Sequence, residues 1–476
     1  MKYFKENPSS HHLPSRIVNF IVISCSIFGI YLLLSLVLVP DANQLHLSAT
    51  ALQNLSSTTS LEHIVFGIAS TRTSWLRRKE YVRLWWKPGV MKGCVFLEQM
   101  PPNTSLSLEK DRVSLTPLCV SEDTSRFPYT FKGGLRSAIR VARVVSETVA
   151  LNYSNVRWFV FGDDDTVFFP ENLVKTLRKY DHGLWYYIGT NSENFEANKA
   201  FSFEMAFGGA GFAISYPLAK VLAKVLDSCL ERYHHLYGSD SRIYSCLTEL
   251  GVSLTHEPGF HQASIMDVRG SIFGLLTVHP VKPLATLHHL DAIDPIFPNK
   301  TTLGALRHLF DAAKVDSERI LQQTVCYDRL LSRTISVSWG YAIQLMESNI
   351  LLPDVVRAQE TFRAWKKGQN NHIINAQRSH PDSCSRPAVF FFDSAFAGRD
   401  GITSIYKIMD SNSSNCTNNK KKDEIRVFSK KLDLDIRQLQ ASRRQCCDVL
   451  NSSAQNLVEI GIRECGAEEL IAQMVP

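Results

Sequence analysis

RWFVFGDDDTVFF, residues 157–169, is the stretch on which the fold turns. Trp158-Phe159-Val160-Phe161 reads as a buried strand and Gly162 breaks it. Three carboxylates follow, Asp163, Asp164 and Asp165, before the apolar run resumes at Val167-Phe168-Phe169. Adjacent like charges repel, and the flanking residues favour a dry setting. A cation is therefore expected among the acids, and hard divalent ions such as Mg²⁺ and Mn²⁺ take carboxylate oxygens. The carboxyl ends of strands are also where open α/β sheets bind ligands. The competing reading is an acidic cap on a helix that opens at Pro170-Glu171-Asn172.

Upstream, HIVFGIAS (63–70) is a short β-type run ending in small residues. Trp75, Leu76, Tyr81, Val82 and Trp85 then recur at helical spacing between basic residues. Strand, small-residue turn and basic helix make a first βα unit suited to an anionic nucleotide group. Arg72, Arg77 and Arg78 either meet a diphosphate or form a solvated helix face. GCVFLEQ (93–99) reads as a second strand, 104–125 as a polar loop, and 133–150 as an amphipathic helix with Leu135, Ile139, Ala142, Val145 and Val149 on one face. The order β, α, β, α, β is that of an α/β domain with a mostly parallel sheet.

Downstream, a helix over 171–180 and a strand over 185–190 lead to FGGAGFAIS (207–215), where Gly208, Gly209 and Gly211 let backbone approach a ligand or another segment closely. A helix over 218–232 follows. Asp240 then stands at the N-cap of a further helix closed by Gly251. His261 lies in a turn, and His279, His288, His289 and Asp291 read as structural, since adjacent histidines lack a chelating helix spacing.

The chain has 476 residues with 45% hydrophobic and 21% charged content and a net charge of +6, which is too mild for a nucleic-acid partner. Residues 17–39 run for 23 positions without a charge, enough to span a bilayer and longer than a signal-peptide core. Lys2, Lys5 and Arg16 precede the span, and no Lys or Arg follows until Arg72, so a type II topology is expected. That gives a cytosolic tail 1–16, an anchor 17–39 in the lipid bilayer and a Ser/Thr/Asn-rich stem 40–60. All seven sequons, at Asn54, Asn103, Asn152, Asn299, Asn412, Asn415 and Asn451, lie beyond the span. So do ten of the 11 cysteines, an even number that points to disulfides in an oxidising lumen.

RWFVFGDDDTVFF, FGGAGFAIS, Asp240 and Gly259-Phe260-His261, in that order, resemble the fringe-like β1,3-glycosyltransferase family, and more closely its plant fringe-related subgroup with a C-terminal extension. The resemblance covers roughly residues 60–290. It implies a GT-A catalytic domain over 61–300, an inverting hexosyltransferase of the Golgi membrane, a UDP-sugar donor and Mn²⁺. It further implies a glycan or glycoprotein acceptor, a β1,3 linkage and association with itself or other transferases. Carried over by residue, Asp165, Asp163 and His261 would hold the metal, and Asp240 would be the base. Asp163, Asp164, Gly208, Gly209, Gly211, Thr71 and Arg78 would contact the nucleotide sugar. Where fringe proteins carry two acids in the catalytic loop, this chain has Ser239-Asp240. Residues 301–476 fall outside the resemblance. Their runs at 334–345 and 388–395 indicate a mainly β accessory region. A catalytically silent glycan-binding scaffold and a metal-dependent phosphohydrolase are the rival readings; the second would need another metal cluster.

Overall fold

The computed structural model of the chain describes residues 24, 26–31, 59–101, 116–263, 270–361, 372–408, 423–452, 454 and 456–471. The chain falls into two units, Met1–Leu55 and Ser56–Pro476. In the first, residues 26–31 are helical, with Ile27, Phe28, Ile30 and Tyr31 exposed. Among the described residues no helix is long and apolar enough to cross a membrane. The rest of the expected anchor 17–39, the tail 1–16 and the stem up to residue 58 lie outside the described residues.

The second unit opens with β1 (Ile64–Ala69), α1 (Arg72–Trp85), β2 (Lys92–Leu97), β3 (Leu118–Val120), α2 (Ser137–Ala150) and β4 (Trp158–Asp163). It continues with β5 (Val167–Phe168), α3 (Pro170–Leu177), β6 (Tyr187–Gly189), β7 (Phe212–Ser215) and α4 (Tyr216–Arg232). Then come α5 (Ser239–Glu249), β8 (Leu254–His256) and β9 (Thr286–Leu287). Seven of these strands form one sheet in the order β3-β2-β1-β4-β7-β6-β8. Its pairings are parallel except that β7 runs against both β4 and β6. The fold is therefore α/β with a mostly parallel sheet, as expected.

The central strands are apolar on both sides because both faces are covered. Ile64, Phe66 and Ile68 of β1 and Trp158 and Val160 of β4 share one core with Trp75, Val82 and Trp85 of α1. Val65, Phe159 and Phe161, one residue out of phase, share the other core with Ile139 and Val145 of α2, Leu222 of α4 and Ile243 of α5. Strand direction then gathers the polar segments at one edge. Since β7 is antiparallel to β4, with Phe161 opposite Phe212, the glycine run that precedes β7 sits at the carboxyl end of β4, beside the acids. The carboxyl ends of β6 and β8 lie at the same edge.

Beyond α6 (Thr302–Val315) the chain builds a second sheet from β10 (Gln323–Asp328), β11 (Arg333–Ser338) and β12 (Ala342–Met346). After a short parallel pair, β13 (Ala358–Gln359) with β14 (Ala376–Gln377), it adds β15 (Ala388–Ala397), β16 (Ile402–Ile408), β17 (Glu424–Ser429), β18 (Cys446–Leu450) and β19 (Leu457–Arg463). The eight-stranded order is β10-β11-β12-β15-β16-β17-β19-β18. A disulfide between Cys326 and Cys447 joins its two edge strands, so the sheet curls back on itself. Its core residues Val337, Ile343, Phe390, Tyr406 and Ile460 belong to the same apolar cluster as Phe66 and Trp158. One core thus crosses residue 300.

Local departures from the sequence reading have local causes. β3 falls inside the stretch expected to be a polar loop, because the Cys94–Cys119 disulfide holds it against β2. Leu135 is 72% exposed, since α2 begins only at Ser137, after Gly133 in the left-handed region at φ +79°. Disulfides also join Cys229 to Cys246 and Cys446 to Cys465, and Cys384 is disulfide-bonded. The sequon asparagines among the described residues, Asn152, Asn299 and Asn451, are all exposed.

A buried ion pair ties the exit of α6 to the chain's last third. Arg319 donates to Asp316 at 3.0 Å, to the Lys430 carbonyl at 2.7 Å and to the Gln445 side chain, and the Leu432 N–H reaches Asp316 at 3.1 Å. Arg319→Ala strands a fully buried carboxylate, so unfolding free energy should fall by about 3–5 kcal/mol. Denaturant titration of the disulfide-intact chain measures it; a loss under about 1 kcal/mol would show that Asp316 needs no cation.

Candidate active site

The three acids close β4 and open the turn to β5, and each has a different environment. The Asp163 N–H donates to Thr166 Oγ1 at 2.8 Å, and Thr166 Oγ1 donates to the Gly209 carbonyl at 2.8 Å. The turn is thereby locked to the glycine run. Asp164 accepts from Ser70 Oγ at 2.5 Å and pairs with Arg78 Nη1 at 3.1 Å. Asp165 pairs with Arg78 Nη2 at 3.2 Å and with His288 Nε2 at 3.2 Å. The Asp163 side chain is 40% exposed and lies 3.9 Å from the same His288 nitrogen.

His288 arrives from far along the chain. β9 pairs antiparallel with β5, Val167 opposite Leu287 and Phe168 opposite Thr286, which sets the next residue after β9 beside the turn before β5. Gly209 makes room for it: a Cβ there would lie 2.1 Å from His288 Cε1. His288 Nδ1 faces the Gln262 carbonyl at 3.4 Å, so that nitrogen carries the proton and Nε2 is the one turned to the carboxylates.

Charge is balanced unevenly. Burial works against ionisation of Asp165, but His288 and Arg78 outweigh it and hold the carboxyl at about 2. For Asp163, although part of its side chain reaches solvent, loss of hydration against the packed cleft is the largest influence. His288 opposes it, while Asp165, Asp240 and Asp164 add repulsion, and the carboxyl is pushed up to about 7. Burial disfavours the His288 cation, yet Asp165 and Asp163 raise its pKa overall. His289, stacked on His288 with ring centroids 4.0 Å apart, is driven down to about 4 by burial and by its charged neighbour.

Asp163, Asp165 and His288 are the group that could hold a metal ion among the described residues; their ligand atoms lie within 4.8 Å of one another. Two carboxylates and an imidazole whose Nε2 points at them suit a divalent cation such as Mn²⁺ or Mg²⁺. The fit rests on the donor set and on the like charges that such an ion would neutralise.

The remaining expected residues fall on both sides of this line. Asp240 is in the first turn of α5 and not at its N-cap, which is Gly238. It accepts from the Gly208 N–H at 3.0 Å and from Ser239 Oγ at 2.8 Å. Burial raises its pKa against these bonds. Gly208 and Gly209 form a shelf between Asp240 and His288, and a Cβ at Gly208 would lie 2.7 Å from Asp240 Oδ1. Gly211, at φ +79°, packs against Phe168. Arg78 is present but faces acids: besides Asp164 and Asp165, its Nε meets Asp291 at 2.7 Å. Thr71 is spent as the N-cap of α1, accepting from the Ser74 N–H at 3.0 Å.

The structure does not bring His261 to the acids. Its N–H is held by Thr286 Oγ1 at 3.3 Å. Its ring turns to Glu193, 3.5 Å away, and to His279, with centroids 4.9 Å apart. His288 stands beside Asp163 and Asp165 instead. The LHHLD run containing it is visible in the sequence, but its adjacent histidines lack a helical chelating spacing because a strand pairing, and not a helix, carries His288 to the acids. Ser70 carried no sequence signal, and Asp291, read as structural, pairs with Arg78.

Fold and site together define an α/β protein with an acidic, imidazole-bearing cleft at the carboxyl ends of its strands. The chain belongs to the family described as "Protein of unknown function, DUF604", which matches residues 197–447. The match begins after the acidic turn, includes Asp240 and His288, and runs across residue 300 into the second sheet. A mouse protein named beta-1,3-glucosyltransferase is 29% identical over 119 residues, 25% of this chain and 23% of that protein. Solved structures of LgtC are also similar. One, of an active-site mutant, has a TM-score of 0.31 at 12% identity; it covers 51% of this chain and 92% of its own. Another, titled as galactosyltransferase LgtC with donor and acceptor sugar analogues, has a TM-score of 0.32 at 14% identity and the same coverage.

Titration with Mn²⁺, followed by calorimetry, separates the two histidines. Affinity should fall by about tenfold or more in His288→Ala and stay unchanged in His261→Ala. The reverse pattern would return the ligand role to His261.

Proposed function

We propose that this protein is a metal-dependent glycosyltransferase that moves a hexose from a UDP-linked donor to a hydroxyl of a glycan or glycoprotein, with inversion and a β1,3 linkage. The observation that carries this reading is the pairing of Asp163, Asp165 and His288 with a separate carboxylate, Asp240, across a two-glycine shelf. The similarity to a beta-1,3-glucosyltransferase and the fringe-like order of motifs support it. The charge-free stretch 17–39 and the sequons beyond it support a type II protein of the Golgi membrane with a luminal body.

Asp163, Asp165 and His288 would hold Mn²⁺, which when bound neutralises the leaving diphosphate as a Lewis acid. The chain's own residues do the rest. The backbone at Gly208 and Gly209 passes between Asp240 and His288, whose side chains fill the space a Cβ would take, so the base and the metal-binding imidazole can stand close together. The Gly208 N–H and Ser239 hydroxyl orient the Asp240 carboxylate. Burial makes that carboxylate a stronger base than a solvated one. The acceptor oxygen forms its bond to the anomeric carbon and its proton passes to Asp240. The bond to the diphosphate breaks with its electron pair leaving on the phosphate oxygen. A single displacement of this kind inverts the anomeric centre.

Two variants test the assignment. Asp165→Ala should abolish both transfer and the Mn²⁺-dependent rise in melting temperature with a UDP-sugar. Asp240→Asn should keep the thermal shift while turnover drops about 10²–10⁴-fold. Near-wild-type turnover in Asp240→Asn, or no shift with any nucleotide sugar in the folded native chain, would sink the reading.

A further inference from the structure

A row of half-exposed aromatic rings leads toward Asp240. Phe131, Phe195, Phe201, Phe203 and Tyr237 are each between 40% and 48% exposed. Three of them are linked in one row, and the other two pair with each other. Phe131 meets Tyr237 with centroids 5.2 Å apart, Tyr237 meets Phe201 at 6.2 Å, and Phe201 meets Phe207 at 6.2 Å; Phe195 and Phe203 pair at 5.7 Å. Phe207 is bonded to Gly208, and Tyr237 precedes Asp240 by three residues, so the row of rings runs into the shelf and the carboxylate.

Exposed rings on soft loops would mean little, but these loops are pinned from beneath. Arg242 is fully buried and donates to the Gly238 carbonyl at 2.7 Å and to that of Leu236 at 2.6 Å. Tyr129 Oη donates to the Tyr237 carbonyl at 2.9 Å. On the other side Asn198, 1% exposed, donates to the Ser192 carbonyl at 2.6 Å and accepts from its N–H at 2.9 Å, while Asn191 donates to the Phe203 carbonyl at 3.2 Å. Buried polar side chains thus hold the backbone while the rings stay in solvent. A folded chain that keeps contiguous apolar surface wet has a use for it, and rigid rings bind with little loss of side-chain freedom.

We propose that this row of rings is the acceptor platform, and that its ligand is a saccharide lying with its C–H face on Tyr237 and Phe201. The assignment rests on the glycosyltransferase reading of the site. A pyranose has an apolar face of C–H bonds and a rim of hydroxyls. Stacked on Tyr237 and Phe201, it turns that rim toward Ser239 and Asp240, where one hydroxyl must lose a proton. A flat lipid surface would cover the rings but bring no hydroxyl to that carboxylate.

Saturation-transfer NMR on the full chain, with lactose, cellobiose and chitobiose as probes and UDP–Mn²⁺ binding as a parallel readout, tests the platform. At least one disaccharide should bind the native chain through its ring C–H protons. Affinity should fall about fivefold or more in Tyr237→Ala and in Phe201→Ala and persist in Tyr237→Phe. Retained UDP–Mn²⁺ binding in each variant shows an intact fold. If UDP–Mn²⁺ binds and no disaccharide does, the platform is wrong and the transferase reading survives. If a disaccharide binds through the rings and UDP–Mn²⁺ does not, the transferase reading fails, the acceptor role falls with it, and the rings remain a saccharide-binding surface. Equal saccharide binding in Tyr237→Ala, or a native dimer that Tyr237→Ala dissociates, overturns the proposal.

Discussion

Three adjacent carboxylates at the end of a buried strand cannot persist without cations, and much of this structure answers that constraint. Arg78 spans Asp164, Asp165 and Asp291; His288 faces Asp165 and Asp163; Ser70 takes one oxygen of Asp164. Each partner comes from a different element: Arg78 from the first helix, Ser70 from the turn before it, His288 from the residue after β9. The acidic turn therefore requires α1, β4 and β9 to meet at one edge of the sheet. Asp163, the least compensated, is the one whose pKa rises to about 7. A site that leaves one carboxylate short of positive charge is poised to take more.

The glycine shelf obeys the same geometry. β7 runs against its neighbours, so the turn that precedes it meets the acids, and it must pass between His288 and Asp240 with no side chain. A parallel strand in that place would have put the glycines at the far edge. One reversed strand in a mostly parallel sheet thus decides whether two carboxylate centres share a cleft.

The last third of the chain is part of this arrangement. Its sheet shares a core with the first, and Lys175 of α3 pairs with Glu318 across the two regions. The family match, running from residue 197 to 447, crosses the same line. The chemistry sits on one sheet, but the packing that supports it belongs to both.

By itself the sequence determined the strand ending in three acids, the helices with one apolar face, the disulfide-rich character and the glycine run at 208–211. These are encoded in local pattern: alternation, helical period and glycine where no Cβ fits. Thr71 and the β3 segment show the limit of that reading, since a helix cap and a disulfide override what composition implies. Only the tertiary structure decided that His288 and not His261 meets the acids, that Arg78 is taken by them, and that one core crosses residue 300. The physical reason is that β5 and β9 pair across more than a hundred residues. Register between distant strands is set by the whole core, and no window of sequence contains it.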